Sequence, residues 1–260
     1  MNLHALTELI YLTAAVLATL GVALPQARLS RAAVFALGGG ALVHAAAFFQ
    51  VHEFRIPPQI SGLPGAVSLA AWLGTLFFLV LVRRPRLRGL VVIVAPAAFL
   101  GVFFGSGGLA PPAARGELPI WAQAHVLLAS AGFALLGVAG AAGVLFLVQR
   151  RSLKRKQRGP RQLALPPLEA LDRVNALAVS VGFLLLSLAL VTGVLWTLER
   201  EGQLWPRSPH ASAALVAWGI YALLVGSRWL ARQGATRAAQ SAVAGFAILL
   251  VAVLGAGVLS

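Results

Sequence analysis

Eight apolar runs, each about as long as a bilayer is thick, divide this 260-residue chain. A hydrocarbon core of about 30 Å needs roughly 20 residues of helix. Runs of that order lie near residues 6–24, 31–50, 66–82, 89–107, 121–149, 174–198, 211–231 and 238–258. They are continuous rather than alternating, which argues for helices and against a transmembrane barrel. Composition agrees: 59% of the residues are hydrophobic and 11% are charged, and the mean hydropathy is +0.87. A soluble domain carries about 25% charged residues, so this chain cannot cover a water-facing surface. The expected fold is all-α: one membrane domain over 1–260, a bundle of eight transmembrane helices.

A net charge of +14 would suggest nucleic acid in a soluble protein. Here the basic residues fall in the gaps between apolar runs, so the charge reports topology, and no nucleic-acid partner is expected. Arg28 and Arg31 follow the first run; Arg83, Arg84, Arg86 and Arg88 follow the third. Eight lie between the fifth and sixth, from Arg150 to Arg173, and Arg228, Arg232 and Arg237 follow the seventh. The alternate side has only Arg55, Arg115, Arg200 and Arg207, with five of the seven acids. By the excess of Lys and Arg in cytoplasmic loops, both termini are expected outside the cytoplasm. The first run lacks a basic region before it, so a cleaved signal peptide is not expected.

Within the runs, Pro96 predicts a kink in the fourth helix, while Gly101 with Gly105, and Gly137, Gly140 and Gly143, predict close helix packing. The segment 150–173 reads as a basic cytoplasmic loop. Its first half is a topology signal facing anionic membrane lipid, or a surface for a protein partner. Its second half, Leu165-Pro166-Pro167-Leu168-Glu169-Ala170-Leu171-Asp172-Arg173, reads as a helix start, with Leu168, Leu171 and Val174 on one face.

There is no cysteine, so thiolate ligation and covalent haem attachment through cysteine are excluded for this chain, and metal or haem chemistry must rest on histidine. All five histidines fall on the non-cytoplasmic half in this orientation. His44 and His125 lie inside apolar runs, where a polar side chain is costly and faces the bundle interior or a cavity. Each is a candidate ligand, set against the reading of a satisfied buried histidine; His4 and His52 read as solvated interfacial residues. Trp121, Trp196, Trp205 and Trp229 fit interfacial belts, whereas Trp218 lies deeper. Trp196 to Tyr221 concentrates three of the six tryptophans, His210 and two prolines around one short outer loop, 199–210. Such a platform suits a planar apolar ligand such as haem, with a nearby histidine as axial ligand.

These residues resemble the cytochrome c assembly family, the CcsA, CcmC and HemX group of polytopic haem-handling proteins. Leu165 to Arg173 is similar to the segment with which that branch starts its sixth span. Val181-Gly182-Phe183 and Gly193-Val194-Leu195-Trp196 match two further landmarks. Trp121 to Ala134, with His125, resembles the segment carrying the family's first conserved histidine, and Gly39 to His44 resembles the glycine-to-histidine stretch of the second span. The family's tryptophan-rich outer loop is degenerate here. Trp205, Pro209, Leu215, Trp218 and Tyr221 are kept, but Arg207 stands at a tryptophan position, Ser208 replaces an aspartate, and His210 and Ala211 replace a lysine and a glutamate. The C-terminal segment that brings a second external histidine in CcsA-like members is not seen before Ser260.

The resemblance implies a multi-pass protein of the bacterial inner membrane that binds or presents haem b at the outer face during cytochrome c maturation. It is not expected to be a catalyst on its own, and a ResB/CcsB-like partner is implied for haem ligation. His125 and His44 are the implied iron ligands. Trp205, Trp196, Trp218 and Tyr221 form the platform, with His210 beside it and Arg207 suited by charge to a propionate. The alternative is a HemX-like regulator or scaffold of tetrapyrrole synthesis that acts on glutamyl-tRNA reductase through 150–173. A small-solute transporter is disfavoured, because coupling residues deep in the spans and an internal repeat are not seen.

Overall fold

The computed structural model describes residues 2–24, 26–51, 62–106, 119–155, 165–204 and 209–258. Every regular element among them is helical: α1 (Leu3–Ala23), α2 (Ala27–Val51), α3 (Leu63–Leu81), a 3-10 segment (Pro85–Leu90) leading into α4 (Val91–Ser106), α5 (Ile120–Lys154), α6 (Leu168–Glu201), α7 (Pro209–Trp229) and α8 (Ala235–Val258). All eight long helices, the fourth counted from Pro85, are long and apolar enough to cross a membrane. The expected spans are each recovered, and the main differences are at the ends. At 1.5 Å per residue, the 35 residues of α5 and 34 of α6 reach about 50 Å, well beyond about 30 Å of hydrocarbon.

The α5 extension comes from the basic first half of segment 150–173, and most of the α6 extension from the second half, which reads as a helix start. Helix α5 runs through Arg150 and Arg151 to Lys154, and α6 starts at Leu168, directly after Pro166-Pro167. Proline lacks the amide hydrogen that a first turn leaves unbonded anyway, so it suits this start. Leu171 and Val174 are buried and Leu168 packs against the same core, as their spacing predicts. Residues 156–164 lie outside the described set. The outer segment 199–210 is likewise shortened: α6 continues to Glu201 and is closed by Gly202 in the left-handed conformation, φ 65°, while α7 begins at Pro209.

Helix α5 is the axis of the bundle. It packs against α3 on one side and against α6 and α8 on another, while α1 joins α2 and α4. Gly101 and Gly105 let α4 approach α3: a Cβ on Gly101 would collide with the Cβ of Ala71, and one on Gly105 would stand 2.5 Å from that of Ser68. Gly137, Gly140 and Gly143 do the same for α5 and α8, facing Phe246 and the Ala239 carbonyl. Pro96 lies within α4. Outward-facing Phe35, Leu223 and Leu230 are largely exposed, as lipid-facing residues of a membrane bundle are.

Among the described residues, the helix order brings the basic residues other than Arg200 to one end of the bundle, here called the basic end, and His4, His44 and His125 toward the other. At the basic end Arg228 donates to Asp172 at 2.8 Å, Arg173 pairs with Glu169, and Asn175 donates to the Ala139 carbonyl at 2.9 Å.

Candidate ligand cavity at the histidine end

Four helices, α5 to α8, leave an open cavity of about 330 Å³ at the histidine end. Its floor and walls are apolar, with Ala129 and Phe133 from α5, Leu186 from α6, Ala217 from α7 and Leu249 from α8; Arg200 and Glu201 stand among the lining residues nearest the end of α6. The lining on α6 extends from Leu186 to Arg200, a rise of about 21 Å at 1.5 Å per residue. That volume lies at the small end of the range for ligand pockets, about 300–1,000 Å³, and one side is open.

His125 lines this cavity, in the second turn of α5, with Trp196 and Trp218. Its Nδ1 lies 2.8 Å from the carbonyl oxygen of Ala189. A carbonyl can only accept, so Nδ1 carries the proton and, in the neutral ring, the lone pair belongs to Nε2. This is the arrangement by which ligating histidines are oriented in metal sites. Gly193 makes room for it, because a Cβ there would lie 2.8 Å from Nδ1. The Trp196 ring is 6.2 Å from the imidazole, tilted by 40°. Trp218 donates from Nε1 to Ser187 Oγ at 2.9 Å and its ring lies 5.8 Å from Phe183. The indole is thus fixed on the deeper wall, as its position inside the span suggested.

The other expected members are distributed differently. Tyr221 does not line the cavity; it is buried beneath it with Leu136, Ala217 and Leu249, and among the described residues its hydroxyl has no hydrogen-bond partner. One turn separates it from Trp218 along α7, which moves it from platform to core. Trp205, Arg207 and His52 lie outside the described residues, and of His210 only its place in the first turn of α7 is described.

His44 belongs to a separate buried cluster on α1, α2 and α3. It is 0% exposed, with Nε2 2.9 Å from Ser68 Oγ, Nδ1 3.5 Å from Tyr11 Oη, and its ring stacked on Phe48 at 4.7 Å. Trp72 completes the wall, donating to the Ala41 carbonyl at 2.9 Å. His4 corrects a sequence expectation. It is not solvated but 5% exposed, 6.5 Å from the His44 ring, and among the described residues neither of its ring nitrogens has a hydrogen-bond partner. The Asn2 side chain caps α1 at the His4 amide. Starting the helix there puts His4, Thr7 and Tyr11 on one buried stripe.

Arg200, Glu201 and Gly193 are cavity residues that the sequence reading did not single out as site members. A signal existed, since Gly193, Trp196 and Arg200 follow one face of α6 at helical spacing. Among the described residues no three His, Asp or Glu side chains converge on a metal-sized site.

The architecture is that of a multi-pass helical membrane protein whose histidine end holds an aromatic-walled cavity. The family model described as Cytochrome C assembly protein matches residues 60–260, most of the chain, including every residue of the cavity. This chain therefore belongs to the cytochrome c assembly protein family, and its role lies in cytochrome c biogenesis. No curated protein matches the chain.

Proposed function

We propose that this protein holds haem b in the cavity between α5 and α8, on the extracytoplasmic side of a bacterial inner membrane, with His125 as an axial ligand. One observation carries the reading: the Nδ1 hydrogen bond to the Ala189 carbonyl sets His125 in a ligating tautomer within a cavity walled by Trp196 and Trp218. A metal served by one histidine takes most of its ligands from its own macrocycle, which matches the lack of a converging side-chain cluster among the described residues. Haem brings the iron chemistry; the chain binds, orients and shelters it and is not a catalyst alone. A ResB/CcsB-like partner would carry out ligation to the apocytochrome.

An absorption spectrum of the purified protein in mild detergent tests this. A Soret band is expected in wild type, lost or shifted in His125→Ala and unchanged in His52→Ala. Equal haem content in wild type and His125→Ala would remove His125 from the mechanism. A second reading, regulation of glutamyl-tRNA reductase, draws on the basic helical extension of α5, where Arg150, Lys154 and Arg155 lie at or beyond the last turns. Haem-free protein in every preparation would select it.

A further inference from the structure

Arg200 stands at the outer end of the cavity wall, exposed, two turns beyond Gly193 on the same face of α6. Two turns correspond to about 10.5 Å along the axis, so a ligand centred on His125 and reaching up the wall arrives at the guanidinium. Among the described residues, the guanidinium is in no ion pair. Both ion pairs among the described residues, Arg228–Asp172 and Arg173–Glu169, are at the basic end, and Arg200 is in neither. Everything deeper on the α6 wall, apart from Thr197, is apolar or aromatic.

We infer that Arg200 is the carboxylate receptor of the cavity, selecting a ligand with a flat apolar body and an acidic edge and fixing it edge outward. This rests on the haem reading and deepens it, since it moves the propionate contact from Arg207, where the degenerate loop suggested it, to the end of α6. A guanidinium binds a carboxylate through a planar fork of donors, stronger and more directional than a lysine contact. Glu201 on the same rim opposes the same ligand, so the two neighbours should act with opposite sign.

The test is a spectroscopic titration of the full chain in detergent with iron protoporphyrin IX and with its dimethyl ester, which keeps the macrocycle and removes both charges. Wild type should bind the free acid about three- to tenfold more tightly than the ester, as befits a charge-assisted contact at a partly wet site. Arg200→Gln should abolish that preference while leaving ester affinity unchanged, Arg200→Lys should restore part of it, and Glu201→Gln should raise affinity for the free acid. A preference that survives Arg200→Gln but disappears in Arg207→Gln would overturn the assignment, as would equal affinity of wild type for acid and ester. If wild type binds neither porphyrin, the haem reading itself fails, and the inference with it. Arg200 is exposed and in no described ion pair, so its variants should keep the fold, checked by an unchanged melting temperature.

Discussion

At the scale of single residues, the cavity turns on an absent methyl group. The carbonyl of Ala189 fixes His125 only because nothing on Gly193 occupies the space of the imidazole; an added Cβ would lie 2.8 Å from Nδ1 and 3.0 Å from Cε1. Gly193→Ala should therefore push the ring away from Ala189 and lower haem occupancy toward the level of His125→Ala, with an overpacking cost of about 1–3 kcal/mol. Absorbance per mole of folded protein checks this, and wild-type occupancy in Gly193→Ala would show that the hydrogen bond does not orient the ligand. The buried cluster around His44 shows the opposite economy. There each ring nitrogen faces a hydroxyl from a neighbouring helix, Ser68 or Tyr11, and the histidine is part of the packing of α1, α2 and α3.

At the scale of elements, helices in lipid gain little from apolar burial against one another and associate through close packing and a few polar bonds. The α3–α4 contact is built that way, with Gly101 against Ala71 and Gly105 against Ser68. Gly101→Leu is expected to destabilise the bundle by about 1–3 kcal/mol, read as a lower melting temperature. Gly219→Ala in α7, where a Cβ meets nothing within 4 Å, should cost nothing or gain a little from helix propensity. Equal effects of the two would mean that α3 and α4 are not in intimate contact. The α5 extension shows what the basic stretch from Arg150 to Lys154 does locally: it continues the helix. Basic residues mark where a span leaves the bilayer, but they are good helix formers and do not stop a helix there.

For the whole molecule, the unequal sharing of basic residues between the two ends supports our proposal that His125 and the cavity face outside the cytoplasm. Alkaline phosphatase fused after Ser260 should be active and the same fusion after Arg158 silent; the reverse pattern would turn the molecule over and put the cavity on the cytoplasmic side. Much of this protein is legible in its sequence. Apolar run length alone yields eight helices, because a bilayer permits no other continuous structure of that length. Spacing predicted the start of α6 and the Gly101 and Gly105 contact, since each depends on neighbours within one helix. What only the tertiary structure decided is which faces meet. It sent His44 into a hydroxyl-lined core, buried His4, withdrew Tyr221 beneath the cavity, and set Gly193 against His125 with Arg200 on the rim of the same cavity. Helical periodicity groups residues on a face, but the rotation of that face toward a neighbour is fixed by packing between helices distant in sequence, and no local pattern records it.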